Sequence, residues 1–230
     1  MTVGGVSGRF YVSSRRELQR ISGMTGEKAI LANFLDELRP GDVVFDVGAN
    51  VGTHTIAFAK VVGEAGRVVS FEPEPVTAGR LARNLELNKI VNVDLMHCAL
   101  GERDATALLY VDSRSGSGQH SLSPRTDRPA EAVSVLQGDK LVRSGQLPIP
   151  NVMKIDVEGA EVSVIAGLKN SLANEKCRLV FCEIHNVMLE RNGEDPKAVD
   201  RMLREAGFTN FETSSRGPEN HLIARKMGSK

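Results

Sequence analysis

Apolar residues recur along the chain with two different periods, and their alternation outlines a fold. From Glu27 to Leu38, the positions Ile30, Leu31, Phe34, Leu35 and Leu38 follow helical spacing, and Pro40-Gly41 supplies a stop and a turn. The run VVFDV is short and continuously apolar, as a buried strand is, and it leads straight into Gly48 and a helical pattern through Ile56, Ala57 and Val61. Gly66 punctuates, RVVSF forms a second strand ending at Glu72, and a helix is expected to start around Pro73 and Pro75 and to run through Leu81, Leu85 and Leu87. VNVDLMHCAL reads as a third strand. Strand, helix, strand, helix, strand implies right-handed crossovers and a parallel sheet.

The pattern then breaks. ALLYV and EAVSVL read as short strands on either side of a polar, Gly/Ser-rich stretch, the 112–130 loop. A connection of that length is either a functional lid or an idle loop, and His120 within it is a candidate residue only if it is a lid. Alternation resumes with a strand over 152–156, a helix over 160–173, the strand RLVFCEI and a helix around Ala198 to Ala206. TNFET and HLIAR close the chain as a hairpin. The expected fold is a single α/β domain over 1–230, doubly wound on a mostly parallel seven-stranded, Rossmann-like sheet with a final antiparallel hairpin. Residues 1–26 carry little periodicity and form an N-terminal extension, either a frayed tail or a segment closing over a site.

Composition narrows the partners. The chain is 41% apolar and 25% charged, as ordinary soluble globular proteins are. Lys+Arg and Asp+Glu are each 29, so no basic surplus exists to displace the counterions of a nucleic acid. No apolar run is long enough to span a bilayer, and the N-terminus lacks the apolar segment of a signal peptide, so a soluble cytoplasmic protein is expected. Cys98, Cys177 and Cys182 are odd in number and match no zinc spacing, which makes them buried free thiols.

Two stretches carry chemistry. In VFDVGANVGTHT, Asp46, Gly48, Asn50 and Gly52 lie on a strand-to-helix turn, where a glycine lets a ligand approach the backbone and a helix N-terminus offers free N–H groups. Glu72 ends the next strand, where a carboxylate accepts hydrogen bonds from ribose hydroxyls in nucleotide-binding folds. The spacing Gly-x-x-x-Gly departs from the dinucleotide fingerprint, which favours a nucleoside-type ligand without pyrophosphate over NAD. The second stretch, NVMKIDVEGAEVSVIAGL, crowds Asp156, Glu158 and Glu161 at a strand end with Lys154 beside them. Asp156 has a choice of roles: base, acceptor of a substrate hydroxyl, partner of a ligand ammonium, or helix N-cap. Glu158 lies at the bend, and helix-dipole compensation accounts for Glu161. Glu183 and His185 alternate along a strand and share a face, with His185 the first-choice base because imidazole titrates near neutrality. Asp156, Glu158, Glu183 and His185 would make an oxygen-rich Mg²⁺ site with one imidazole, but their spacing matches no metal motif, so the expected reading has no metal ligand and keeps the Mg²⁺ site as the alternative; His54 after the glycine turn is expected to be packed.

These residues carry a resemblance. DVGANVGTHT is similar to the S-adenosylmethionine motif of class I methyltransferases, and FEPEP, MKIDVEGAE and CEIH in that order resemble the FkbM family, over roughly residues 40 to 225. The resemblance implies that Asp46, Gly48, Asn50 and Gly52 surround the methionine portion of S-adenosyl-L-methionine, that Glu72 takes the ribose hydroxyls, and that backbone near Ala99 borders adenine. It also implies O-methylation of a hydroxyl on a small molecule such as a sugar or natural product. Members often show a TLD-type segment before the fourth core strand; this chain has VSVLQGDKLV, where Asp139 is the available replacement. The rival readings are an NAD-dependent oxidoreductase on a similar sheet, a methyltransferase acting on a macromolecule, and a binding module without catalysis.

Overall fold

The computed structural model describes residues 1–12, 28–111 and 129–228, together with Arg15 and Leu18. His120, most of the 112–130 loop and the second half of the N-terminal extension lie outside the described residues. The chain begins with a small hairpin, β1 (Thr2–Val3) and β2 (Val6–Ser7), followed by α1 (Lys28–Asp36). Alternation then runs through β3 (Val43–Val47), α2 (Thr53–Val62), β4 (Arg67–Phe71), α3 (Pro75–Leu87) and β5 (Val93–Met96). Next come β6 (Ala99–Leu100), β7 (Ala105–Tyr110), β8 (Ala130–Leu136) and α4 (Gly138–Arg143). The second half consists of β9 (Val152–Ile155), α5 (Glu161–Gly167), α6 (Lys169–Ala173), β10 (Leu179–Ile184), α7 (Asn186–Arg191), α8 (Lys197–Glu205), β11 (Asn210–Arg216) and β12 (Glu219–Arg225).

Seven strands form the main sheet in the order β11-β12-β10-β9-β3-β4-β5. β5, β4, β3, β9 and β10 run parallel, whereas β12 is antiparallel to both β10 and β11. The chain winds outward from β3 through β4 to β5, then returns to the other side of β3 and winds the opposite way. The strand order therefore reverses between β3 and β9, and the C-terminal ends of these two strands border the crevice where open α/β sheets bind ligands.

Alternating residues of the buried strands fill two layers. Phe45, Val47, Phe71, Ile155 and Cys182 pack with Val164 of α5 and Leu203 of α8. On the other face, Val44, Leu179, Phe181 and Ile223 meet Phe34 of α1 and Phe58 of α2. Phe34, Phe45, Phe58 and Phe71 are essentially inaccessible, each contributing on the order of 1.5–3 kcal/mol relative to exposure. Cys98, Cys177 and Cys182 are free and buried, as expected. Among the described residues, no helix is long and apolar enough to cross a membrane.

Two expected elements are divided. The third strand stops at Met96; after His97 and Cys98 the chain forms β6, which joins β8 and β7 in a separate three-stranded sheet. β6 is only two residues long, too short to show a period of its own, so periodicity does not reveal the change of sheet. The helix expected over 160–173 is α5 and α6, interrupted at Leu168, where Gly167 passes so close to Gly101 that an added Cβ would stand 1.9 Å from its carbonyl oxygen.

Candidate active site

Asp46 sits near the end of β3 on the α2 side, wholly buried. Its Oδ2 accepts a hydrogen bond from Thr55 Oγ1 at 2.6 Å, and its Oδ1 lies 3.2 Å from Lys154 Nζ. Lys154, on β9 and itself 1% exposed, donates to the carbonyls of Gly48 at 2.7 Å and Val47 at 3.3 Å and stands 3.4 Å from Asp156 Oδ2. Burial works against its charge, but Asp46 and Asp156 outweigh burial and hold the ammonium above its ordinary value. One buried cation thus joins the turn after β3 to the end of β9.

The glycines of the turn serve the chain's own packing. Gly48 has φ +78°, and a Cβ there would meet the Asp156 carbonyl oxygen at 1.9 Å. Gly52 has φ +89°, and a Cβ there would meet Leu81 Cδ1 at 2.2 Å. The space read from sequence as an approach for a ligand at Gly48 is taken by the end of the neighbouring strand. Asn50 also adopts the left-handed region, φ +53°, which Asn tolerates better than most residues. The turn is tied to β4 because Gly48 and Ala49 both donate to the Phe71 carbonyl.

Glu72 closes β4 with its carboxylate inside the same crevice. Asn50 N–H donates to Oε2 at 2.9 Å and Glu74 N–H to Oε1 at 3.0 Å. Burial pushes the carboxyl up to about 7, against the lowering effect of those two donors. A buried carboxylate with its plane fixed by one N–H on each oxygen retains lone pairs for a diol, so the residues present fit a ribose. Glu72 N–H also donates to the Met96 carbonyl, so the stretch leading to Ala99 leaves the sheet beside this carboxylate. Glu74 caps α3, its side chain accepting from Val76 and Thr77 N–H, and Pro75 occupies the first turn.

The acids after β9 do different things. Asp156 is not an N-cap: α5 starts at Glu161 and Ala160 precedes it. The Asp156 side chain is partly exposed, with Oδ2 facing Lys154 and Oδ1 3.9 Å from His185 Nε2. Glu158 forms the bend at φ +51°, a conformation that costs a non-glycine residue about 1–3 kcal/mol and is concentrated at functional sites. Burial pushes its carboxyl up to about 7, and its Oε2 lies 3.7 Å from His185 Nε2. Glu161, which sequence reading left to the helix dipole, is fully buried; its Oε1 accepts from Gly159 N–H at 3.0 Å and bonds His185 Nδ1 at 2.7 Å. No periodic signal marks that contact, since it joins two elements 24 residues apart.

His185 follows β10 and is 4% exposed. Burial alone would lower its pKa, but the Glu161 hydrogen bond and the charges of Asp156 and Glu158 push it up to about 10. At neutral pH the ring is a cation without a lone pair to take a proton, which removes the reason for choosing it as base. Glu183 lies on β10 directly opposite His221 of β12, its Oε1 3.5 Å from Nε2. Burial would raise Glu183, but His221 and His185 outweigh it and hold the carboxyl at about 2. Asp139 stands apart from this cluster: its oxygens accept from Asn170 N–H, Ser171 N–H and Ser171 Oγ, capping α6. His54 packs against Phe58, with ring centroids 5.9 Å apart.

Known proteins share this plan. A family model described as the methyltransferase FkbM domain matches residues 46–209. The hexuronic acid methyltransferase AglP of Haloferax volcanii is 33% identical over 225 residues, covering 98% of this chain and 87% of the relative. The 31-O-demethyl-FK506 methyltransferase FkbM of Streptomyces tacrolimicus is 30% identical, covering 83% and 82%. A solved SAM-dependent O-methyltransferase from Thermotoga maritima is alike in fold, with a TM-score of 0.55 at 13% identity over 93% of this chain and 72% of that one. The family match begins at Asp46 and takes in Glu72, Asp156, Glu183 and His185, so the residues gathered at the switch point lie inside it. The chain belongs to the FkbM family of methyltransferases.

Proposed function

We propose that this protein uses S-adenosylmethionine to methylate a hydroxyl oxygen of a small acceptor, such as a sugar or a natural product. The observation that carries the reading is the placement of two carboxylates, Glu72 and Asp156, on either side of the Asp46–Gly52 turn at the reversal of strand order. The names of the relatives support a small acceptor: one is a hexuronic acid methyltransferase and the other a 31-O-demethyl-FK506 methyltransferase. The neutral net charge supports an acceptor other than nucleic acid, and the buried free thiols support a cytoplasmic setting.

When bound, the cofactor supplies an electrophilic methyl group on a sulfonium sulfur. Glu72 receives the ribose hydroxyls, with Asn50 N–H fixing one carboxylate oxygen, and backbone near Ala99 borders the adenine. Asp46 and Lys154 hold the turn, while Gly48 and Gly52 allow it to close against β9 and α3. Asp156 would take the proton of the acceptor's hydroxyl, leaving that oxygen able to receive a methyl group. Lys154 stands 3.4 Å from that carboxylate, and Glu183 and the His185 cation line the acceptor side. A positioned base is worth about 10²–10⁴-fold in rate.

Asp156→Asn tests this assignment. S-adenosylhomocysteine affinity by calorimetry is expected to stay within about threefold, while turnover on a panel of sugars and hexuronic acid glycosides falls by about 10²–10⁴. Undiminished turnover in Asp156→Asn would remove it as the base.

A further inference from the structure

The antiparallel pairing of β10 with β12 places the end of one strand against the start of the other, and three side chains meet there. One ligand atom from each of Glu183, His185 and Glu219 lies within 4.8 Å of the other two. The sequence spells no metal motif because Glu219 comes from a different element, brought over by the final hairpin.

One buried ring nitrogen at this cluster, His221 Nε2, lacks a hydrogen-bond partner among the described residues. His185 has committed Nδ1 to Glu161, and its Nε2 faces Glu158 Oε2 at 3.7 Å and Asp156 Oδ1 at 3.9 Å, beyond hydrogen-bond reach. His221 is 2% exposed, and its Nε2 stands 3.5 Å from Glu183 Oε1 without a hydrogen bond. The Glu161–His185 pair is the arrangement in which a carboxylate fixes an imidazole so that its other nitrogen can bind a metal. Glu183 and Glu219 bring two carboxylates together beside this imidazole, and like charges at that range repel unless a proton or a cation sits between them.

We infer that Glu183, His185 and Glu219 form a binding site for a divalent cation of the Mn²⁺/Mg²⁺ class. Two carboxylates and one imidazole, with no thiolate, suit such an ion and leave coordination positions open. A cation bound there replaces the proton on His185 Nε2 and balances the charges of Asp156, Glu158, Glu183 and Glu219. Its open positions can hold and polarise acceptor hydroxyls beside Asp156. That role rests on the methyl-transfer reading; the binding itself does not.

The test titrates metal-stripped full-length protein with Mn²⁺ alone, following the free-ion electron paramagnetic resonance signal. One Mn²⁺ per chain is expected, displaced by Mg²⁺, with binding weakened at least about tenfold in Glu219→Gln and in Glu183→Gln. Asp104→Asn, an exposed acid on another face, is expected to bind as wild type does. Thermal melts confirm that the variants fold, and broadening of the His185 imidazole resonances by Mn²⁺ in the wild type gives a second readout. Wild-type binding no tighter than that of the Glu183→Gln/Glu219→Gln double variant would overturn the site. S-adenosylhomocysteine calorimetry on the same preparation separates the two claims: cofactor binding without Mn²⁺ binding sinks the metal site alone, and the reverse result leaves the site and removes its role.

Discussion

Lys154 carries its charge where water does not reach, between Asp46 and Asp156 and against two carbonyl oxygens. Removing one partner of such a group leaves the other charge buried and uncompensated, which typically costs about 3–5 kcal/mol. Lys154→Met is therefore expected to lose stability of that order in urea unfolding, and Asp46→Asn/Lys154→Met to recover part of the loss. Glu72 makes a second prediction at this scale. Burial raises it to about 7, so it is ionised above that pH and protonated below it. Cofactor affinity is expected to fall as pH drops through about 7, by at most about tenfold per unit, while Glu72→Gln binds weakly and without this dependence. Calorimetry with S-adenosylhomocysteine between pH 5.5 and 8.5 on the ~0.5-unit scale of such titrations checks both. Asp46, Glu72 and Asp156 were legible in the sequence because each stands at or near the end of an apolar run. Glu161 and Lys154 were not legible as site residues, since their partners lie on other elements and neither position differs in pattern from a helix start or a strand residue.

Among the elements, the turn between β3 and α2 does most to set the site. Its glycines are legible as a strand-to-helix turn, but what they accommodate is not. Sequence leaves open whether a ligand or a strand lies against Gly48, and the structure places the Asp156 carbonyl there. Gly48→Ala is expected to lose at least about 1–3 kcal/mol in thermal or urea unfolding, from the left-handed backbone alone, and to weaken cofactor binding because β9 must shift. The strands and most helices were readable from period, length and punctuation. The division of the third strand into β5 and β6 was not, because a two-residue β6 is too short to show a period, and the break between α5 and α6 comes from a close approach of Gly101 that no local pattern records. Asp139 shows the same limit: it stands at a plausible site position in sequence, yet its oxygens cap α6.

For the molecule as a whole, alternating strands and helices imply a doubly wound parallel sheet, and the sheet has that form with an antiparallel closing pair. Which strand lies beside which is decided by packing rather than by period, so the reversal between β3 and β9 appears only in three dimensions. That reversal brings a turn, a ribose-type carboxylate and a strand-end Asp from three separate stretches to one crevice. The family shows a methyltransferase; the crevice is where S-adenosylmethionine is proposed to bind. Calorimetry of the wild-type protein with S-adenosylmethionine, S-adenosylhomocysteine and NAD measures this most directly. One-to-one binding of the sulfonium cofactor and its product is expected, lost or strongly weakened in Glu72→Ala, with no binding of NAD; tight NAD binding with no response to either sulfur compound would contradict the proposed site.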